Sequence, residues 1–176
     1  MIGRASLLAG ALAVLLASSA IALSWRNATT NADVADEIAA RVLTEHFRAC
    51  GRNIDRDAQL DAAAEFKAYD MGFRDRIAHQ FNDGHRIWDF YAEAGIPRPY
   101  GAGEILAVSS FPDRDVARRI VNGWIDSPGH RALIRNCDYD RYGVAIFKTK
   151  SSSNCEADGS FCKKWAAVEF TNTQRP

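Results

Sequence analysis

The chain has 176 residues, with 22 basic side chains balancing 22 acidic ones. With no basic excess to attract nucleic acid or an anionic surface, nucleic-acid binding is set aside. The length suits one domain with a real core, and four cysteines (Cys50, Cys137, Cys155 and Cys162) indicate an oxidising compartment.

The N-terminus indicates export. Arg4 supplies a positive n-region, Leu7 to Leu16 an apolar h-region, and Ala20-Ile21-Ala22 a small-x-small cleavage site. Residues 1–22 are therefore expected to be a signal peptide, and removing Arg4 with them leaves 154 residues near −1. The product is secreted, or kept in the periplasm or cell envelope, with no stable membrane span. An N-terminal anchor is the alternative, because the apolar run drifts on to Leu23. Residues 23–32 read as a polar, disordered lead-in. They carry the sequon Asn27-Ala28-Thr29, which matters only in a host that glycosylates its exports. Residues 33–176 form the domain.

Asp33 to Arg48 predicts a helix, with Val34, Ile38, Val42 and then His46/Phe47 at helical spacing and Gly51 ending it. Asp57 to Phe73 predicts a second, whose alanines suit close packing against another element. Gly84 to Ala94 places Ile87, Trp88 and Tyr91 on one face, and residues 95–103 read as a Gly/Pro loop. Pro112 starts a helix with Val116, Ile120 and Trp124 in one stripe. Ser127 as N-cap and Pro128 at the first helical position open a short helix through Arg135. Tyr142 to Thr149 and Trp165 to Thr171 are β-branched and aromatic, a hairpin with a long tip. Helices first and strands last give an α+β domain.

Four cysteines allow three pairings. Cys155 and Cys162 flank a turn-like segment, so a local bridge is expected there, leaving Cys50 for Cys137. That long loop closure stabilises by about 4–5 kcal/mol in the chain-entropy model. A four-cysteine zinc site would want paired C-x2-C spacing, which is missing.

The four histidines read differently. His46, beside Phe47, is expected to be exposed or half-exposed, and His85 to sit at the surface of a helix start. His79 and His130 stand out by their company. A helix N-terminus disfavours the imidazolium at His130, which suits a metal ligand or general base. Glu104 follows Gly103 at the mouth of a strand, where folding needs no lone carboxylate.

Trp124, Ser127-Pro128-Gly129-His130-Arg131, Gly103-Glu104-Ile105-Leu106-Ala107, Ala78-His79 with Asp83-Gly84, and Tyr142-Gly143-Val144-Ala145 occur in order. Together with the Ala-rich helix at Leu60–Met71 and the strand at Trp165–Phe170, they resemble the CAP superfamily, bacterial SCP type, over roughly residues 36–172. The resemblance implies an α-β-α sandwich with the C-terminal antiparallel hairpin in its central sheet. It also implies a cavity lined by His79, Glu104 and His130, with zinc in some members. Asp126 falls near the family's acidic position without matching it, and Glu169 on the last strand competes for that role. Ile105 and Leu133 replace family asparagines and Ala78 a serine, so the cavity is expected to bind metal poorly or to be more apolar.

Two functions follow. One is an extracellular or envelope binding module for a small lipid, peptide or glycan, with no required cofactor. The other is a metal-dependent, peptidase-like hydrolase with Zn²⁺ on His79 and His130, Glu104 activating water and Asp126 as the spare base. No catalytic residue is assigned outside that alternative. Ser127 reads as a cap rather than a nucleophile, and four oxidised cysteines leave no catalytic thiol.

Overall fold

The computed structural model describes residues 32–81, 84–93, 96–149 and 162–173. The expected signal peptide, the sequon and Cys155 lie outside the described residues, as does the lead-in except Ala32. The elements run α1 (Ala32–Cys50), β1 (Asp55–Arg56), α2 (Ala58–Arg74), α3 (Ile87–Glu93) and β2 (Gly101–Ser109). They continue with α4 (Asp113–Asp126), α5 (Pro128–Ile134), β3 (Arg141–Lys148) and β4 (Lys164–Asn172). The sheet order is β1-β3-β4-β2, antiparallel except where β1 joins β3.

Alternation along the strands sorts side chains between two helical layers. On one face, Ile105, Val144, Ile146, Val168 and Phe170 meet Val34, Ile38 and Val42 of α1 and Val116, Ile120 and Trp124 of α4. Ile134 of α5 joins that core. On the other face, Leu106, Ala145, Trp165 and Ala167 meet Ala64, Ala68 and Met71 of α2. Tyr91 and Ile87 of α3 pack with Leu60 and Ala63 beside them. The result is an α-β-α sandwich.

The second layer sits close to the sheet because its contact residues are small. Ala63, Ala64 and Ala68 are fully buried, and Asp57 caps α2 by accepting the N–H groups of Gln59 and Leu60. At Gly143 the backbone of Leu60 and Asp61 takes the space of a side chain. Asp61 Oδ1 accepts the Val144 N–H at 2.9 Å, and the Asp57 N–H donates to the Tyr142 carbonyl. The even-numbered backbone groups of β3 therefore point away from β4. Carried through the register, this makes the odd residues of β2 bond to β4 and turns the even ones outward.

Several expectations shift. His46 is fully buried one turn after Val42, where its Nδ1–H donates to the Ile134 carbonyl at 2.9 Å. It is not the exposed residue its neighbour Phe47, 51% exposed, suggests. The helix expected from Gly84 begins at Ile87, with the Arg86 N–H held by Asp89 Oδ2 at 2.8 Å. Ile87 and Tyr91 are buried, but Trp88 turns outward, 45% exposed. Residues 101–103, read as loop, form the start of β2, because a β-carbon on Gly103 would lie 2.5 Å from the Tyr139 hydroxyl. Ser127 holds the N-cap position of α5, yet its side chain makes no capping bond.

Cys50 and Cys137 are bridged, 87 residues apart, tying the end of α1 to the chain after α5. Cys162 is also oxidised and fully buried.

Two glycine substitutions separate close approach from helix entropy. Gly143→Ala puts a β-carbon 2.0 Å from a backbone atom of Leu60, which cannot rotate away. Urea unfolding should show a loss of about 3 kcal/mol. Gly123→Ala, in α4 with open space around it, should gain about 0.5–1 kcal/mol.

Candidate ligand-binding site

Glu104 and Glu169 face each other across β2 and β4. Because even residues of β2 turn outward, theirs is a non-hydrogen-bonded pair, the kind whose side chains stand closest. Both carboxylates lie on the α2 side of the sheet, between Leu106 and Ala102 on one strand and beside Ala167 on the other. Glu169 is fully buried, and the Glu104 side chain is only 7% exposed.

Three helical or loop residues complete the cluster. Tyr91 of α3, itself buried, donates its hydroxyl to Glu169 Oε2 at 3.1 Å. Lys67 of α2 is buried with its Nζ 4.1 Å from the centroid of the Phe81 ring and no hydrogen-bond partner among the described residues. His79 reaches in from the segment after α2, where its Nδ1–H donates to Glu104 Oε1 at 2.5 Å. A neutral ring in that tautomer carries its lone pair on Nε2. The same imidazole is 67% exposed, so it stands at the mouth while the carboxylates form the floor.

The His79 segment is held to α2 by backbone and side chain. Asp75 takes a left-handed conformation, φ 52°, and returns its N–H to the Met71 carbonyl. Arg76 N–H donates there too at 3.1 Å, and Arg74 pairs with Asp70 and donates to the Gln80 carbonyl.

Two carboxylate oxygens of this cluster, Glu104 Oε2 and Glu169 Oε1, are buried without a partner among the described residues. A proton on Glu169 would give this pair a donor. Burial holds the Glu169 carboxyl well above the usual carboxylate range, and the charge and hydrogen bond of Glu104 push the same way. The Tyr91 hydrogen bond and the Lys67 charge oppose this without overcoming it. Burial lowers the Lys67 ammonium from its ordinary value, while Glu104, Asp70 and Glu169 pull it back.

A cavity of about 500 Å³ opens over this floor, with His79, Glu104, Glu169, Arg86 and Trp88 in its wall. A second, about 550 Å³, adjoins it through Trp88 and Ala102. Of the residues expected to converge, His79 and Glu104 meet and Glu169 joins them. Asp126 is exposed at the last position of α4. His130 is half-buried on α5, whose Leu133 and Ile134 pack on the opposite face of the sheet. Neither lines the cavity. Ile105 and Leu133 also face that opposite core, so the altered positions leave the floor polar rather than apolar. Lys67 and Tyr91 were not singled out as site residues. The signal for Lys67 was a lysine inside the stripe Leu60, Ala64, Lys67, Ala68, Met71.

The profile of the Cysteine-rich secretory protein family, CAP, matches residues 22–163. The chain belongs to this family. No curated protein sequence matches it at a significant level. Among solved structures, an outer surface protein of Borrelia burgdorferi superposes with a TM-score of 0.61 at 19% identity, over 79% of this chain and 94% of that one. An extracellular SCP-domain protein of Bacillus anthracis gives 0.55 at 18% identity, over 76% of this chain and 39% of that one. A cysteine-rich secretory protein of Staphylococcus aureus gives 0.52 at 12%, over 78% and 38%. The CAP chain thus spans most of the first and about two fifths of the others, and at these identities the likeness is one of fold.

Zinc can be tested against the donors of this CAP domain. Among the described residues no group of three His, Cys, Asp or Glu side chains is arranged to hold a metal ion. His79 and Glu104 supply two, where a zinc site takes three or four protein ligands. As arranged, the set does not fit the ion.

Glu169 gives a pH test. Because its pKa is raised on folding, its stabilising contribution is full below the ordinary glutamate range and is lost as pH rises through the raised value. Glu169→Gln stays neutral throughout and keeps the Tyr91 contact. At mildly alkaline pH the variant should unfold roughly 3 °C or more above the parent, with the gap closing toward acid pH. Lys67 contributes with the opposite sign toward its ordinary range, and because Glu169 helps hold its charge the comparison reads the two groups together.

Proposed function

We propose that this CAP domain is an exported binding module, acting outside the cell or in its envelope, whose ligand enters past His79 onto the Glu104–Glu169 floor. Its carrying observation is the cavity of about 500 Å³ with a buried polar floor and an exposed aromatic, Trp88, at the rim. Sites of this size and make-up hold small molecules or short chain segments, with few polar groups fixing orientation. Export is supported by the signal-like N-terminus, by the Cys50–Cys137 disulfide and by relatives named as extracellular or outer-surface proteins. Among the described residues no helix is long and apolar enough to cross a membrane.

The hydrolase alternative requires His79 and His130 to hold Zn²⁺ together, with Glu104 or Asp126 as base. In this arrangement Nδ1 of His79 is engaged by Glu104, and His130 belongs to the other helical layer. Acid–base chemistry has raw material in a proton on Glu169, but the full burial of that group favours fixing a ligand over turning one over.

Calorimetry of the purified protein against a panel of lipids, peptides and glycans tests this. One class should bind, and Trp88→Ala should weaken it about tenfold, as expected for a contact worth near 1.4 kcal/mol. Zinc binding that is lost in both His79→Ala and His130→Ala, together with peptide or ester hydrolysis lost in Glu104→Gln, would replace the binding module with the hydrolase.

A further inference from the structure

The two cavities form one trough, and consecutive residues of one strand make its wall. Tyr100, Gly101 and Ala102 line one half, and Ala102, Gly103 and Glu104 line the other. β2 is an edge strand of the sheet. By the register derived above, the N–H and C=O groups of Ala102, Glu104 and Leu106 turn outward, away from β4. The Leu106 carbonyl confirms this direction, since it accepts the Trp124 indole N–H at 3.0 Å. Toward the trough the backbone groups of Ala102 and Glu104 have no such cover among the described residues.

Three arginines stand around this edge. Arg76 and Arg86 stand in the wall of one half and Arg98 in the other, all three exposed. None of their guanidinium groups has an ion pair or hydrogen bond among the described residues. Several arginines elsewhere are ion-paired: Arg41 with Glu37, Arg56 with Asp36 and Asp61, Arg135 with Glu45, Arg141 with Asp57. The acids facing the trough have partners of their own: Asp89 accepts the Arg86 N–H, Glu104 accepts from His79, and Glu169 accepts from Tyr91.

We propose that an extended acidic peptide segment binds here by adding a strand to the outer edge of β2, its backbone pairing with Ala102 and Glu104 and its carboxylates reaching Arg76, Arg86 and Arg98. Strand addition draws affinity from main-chain hydrogen bonds and specificity from alternate side chains. Residues 100–104 offer about five residues of contact at roughly 3.4 Å each. Trp88 and Tyr100, 45% and 62% exposed, supply the apolar contacts between the charged ones. The proposal rests on the binding-module reading and names its ligand class.

The probe is an acetylated, amidated pentapeptide alternating glutamate and valine, titrated into the purified protein with amide exchange followed by NMR. Protection of the Ala102 and Glu104 amides is expected, with Arg86→Ala and Arg98→Ala each weakening binding about tenfold while the unfolding temperature stays unchanged. Methylating alternate peptide nitrogens should abolish binding in one register and spare it in the other. Saturable binding without protection of those two amides would overturn strand addition. An oligouronate that binds through the same arginines where the peptide does not would reassign the trough to acidic carbohydrate. If neither binds, the arginines serve to guard an open strand edge against self-association, and the proposal fails. A Trp88-dependent hit elsewhere in the ligand panel would then leave the binding module itself standing.

Discussion

All nine residues of β4 are buried, and that constraint organises the rest of the molecule. A strand covered on both faces and both edges offers no water to its polar side chains, so each must find a partner inside the protein or bear a cost of about 1–3 kcal/mol. Lys164 succeeds: its Nζ donates to the Phe111 carbonyl at 2.6 Å and to the Cys162 carbonyl at 3.3 Å. Glu169 succeeds only in part, with Tyr91 on one oxygen and Glu104 as the facing neighbour of the other. The place where β4 is incompletely satisfied is where the pocket opens.

That coincidence has a physical reading. A buried carboxyl that keeps its proton is neutral and can donate, while its neighbour Glu104 still accepts from His79. Lys67 sits among these groups with its ammonium over the Phe81 ring. In low dielectric such a set is strongly coupled, and a ligand with complementary polar groups gains more from it than it would in water. The helices that hold it are rigidly seated, because α2 touches the sheet backbone at Gly143 and α3 is pinned through Tyr91.

Much of this was legible in the sequence. Motif order brought His79 to Glu104 across 25 residues, the apolar stripes marked α1, α2 and α4 as helices, the family resemblance implied their two layers, and a local bridge at Cys162 left Cys50 for Cys137. What the residues could not disclose was register. Glu169 competed with Asp126 for a role until strand pairing placed it opposite Glu104. The same alternation separates Glu104 from Ile105, since adjacent strand residues belong to different environments and a change at one does not reach the other's pocket. His46 and Lys67 were hidden for another reason. A polar residue in an apolar helical stripe reads as a surface residue until the facing helix or sheet is known, and here both are fully buried.

The central feature is the buried Glu169 carboxyl, raised by burial and by its neighbour Glu104. Carbon-detected NMR of the two side-chain carboxyls, followed from acid to mildly alkaline pH, measures it directly. The Glu169 carboxyl should hold its proton above the ordinary carboxylate range, and should release it at still higher pH in Tyr91→Phe, which removes a donor to the ionised form. A Glu169 carboxyl that ionises within the ordinary range would contradict this reading.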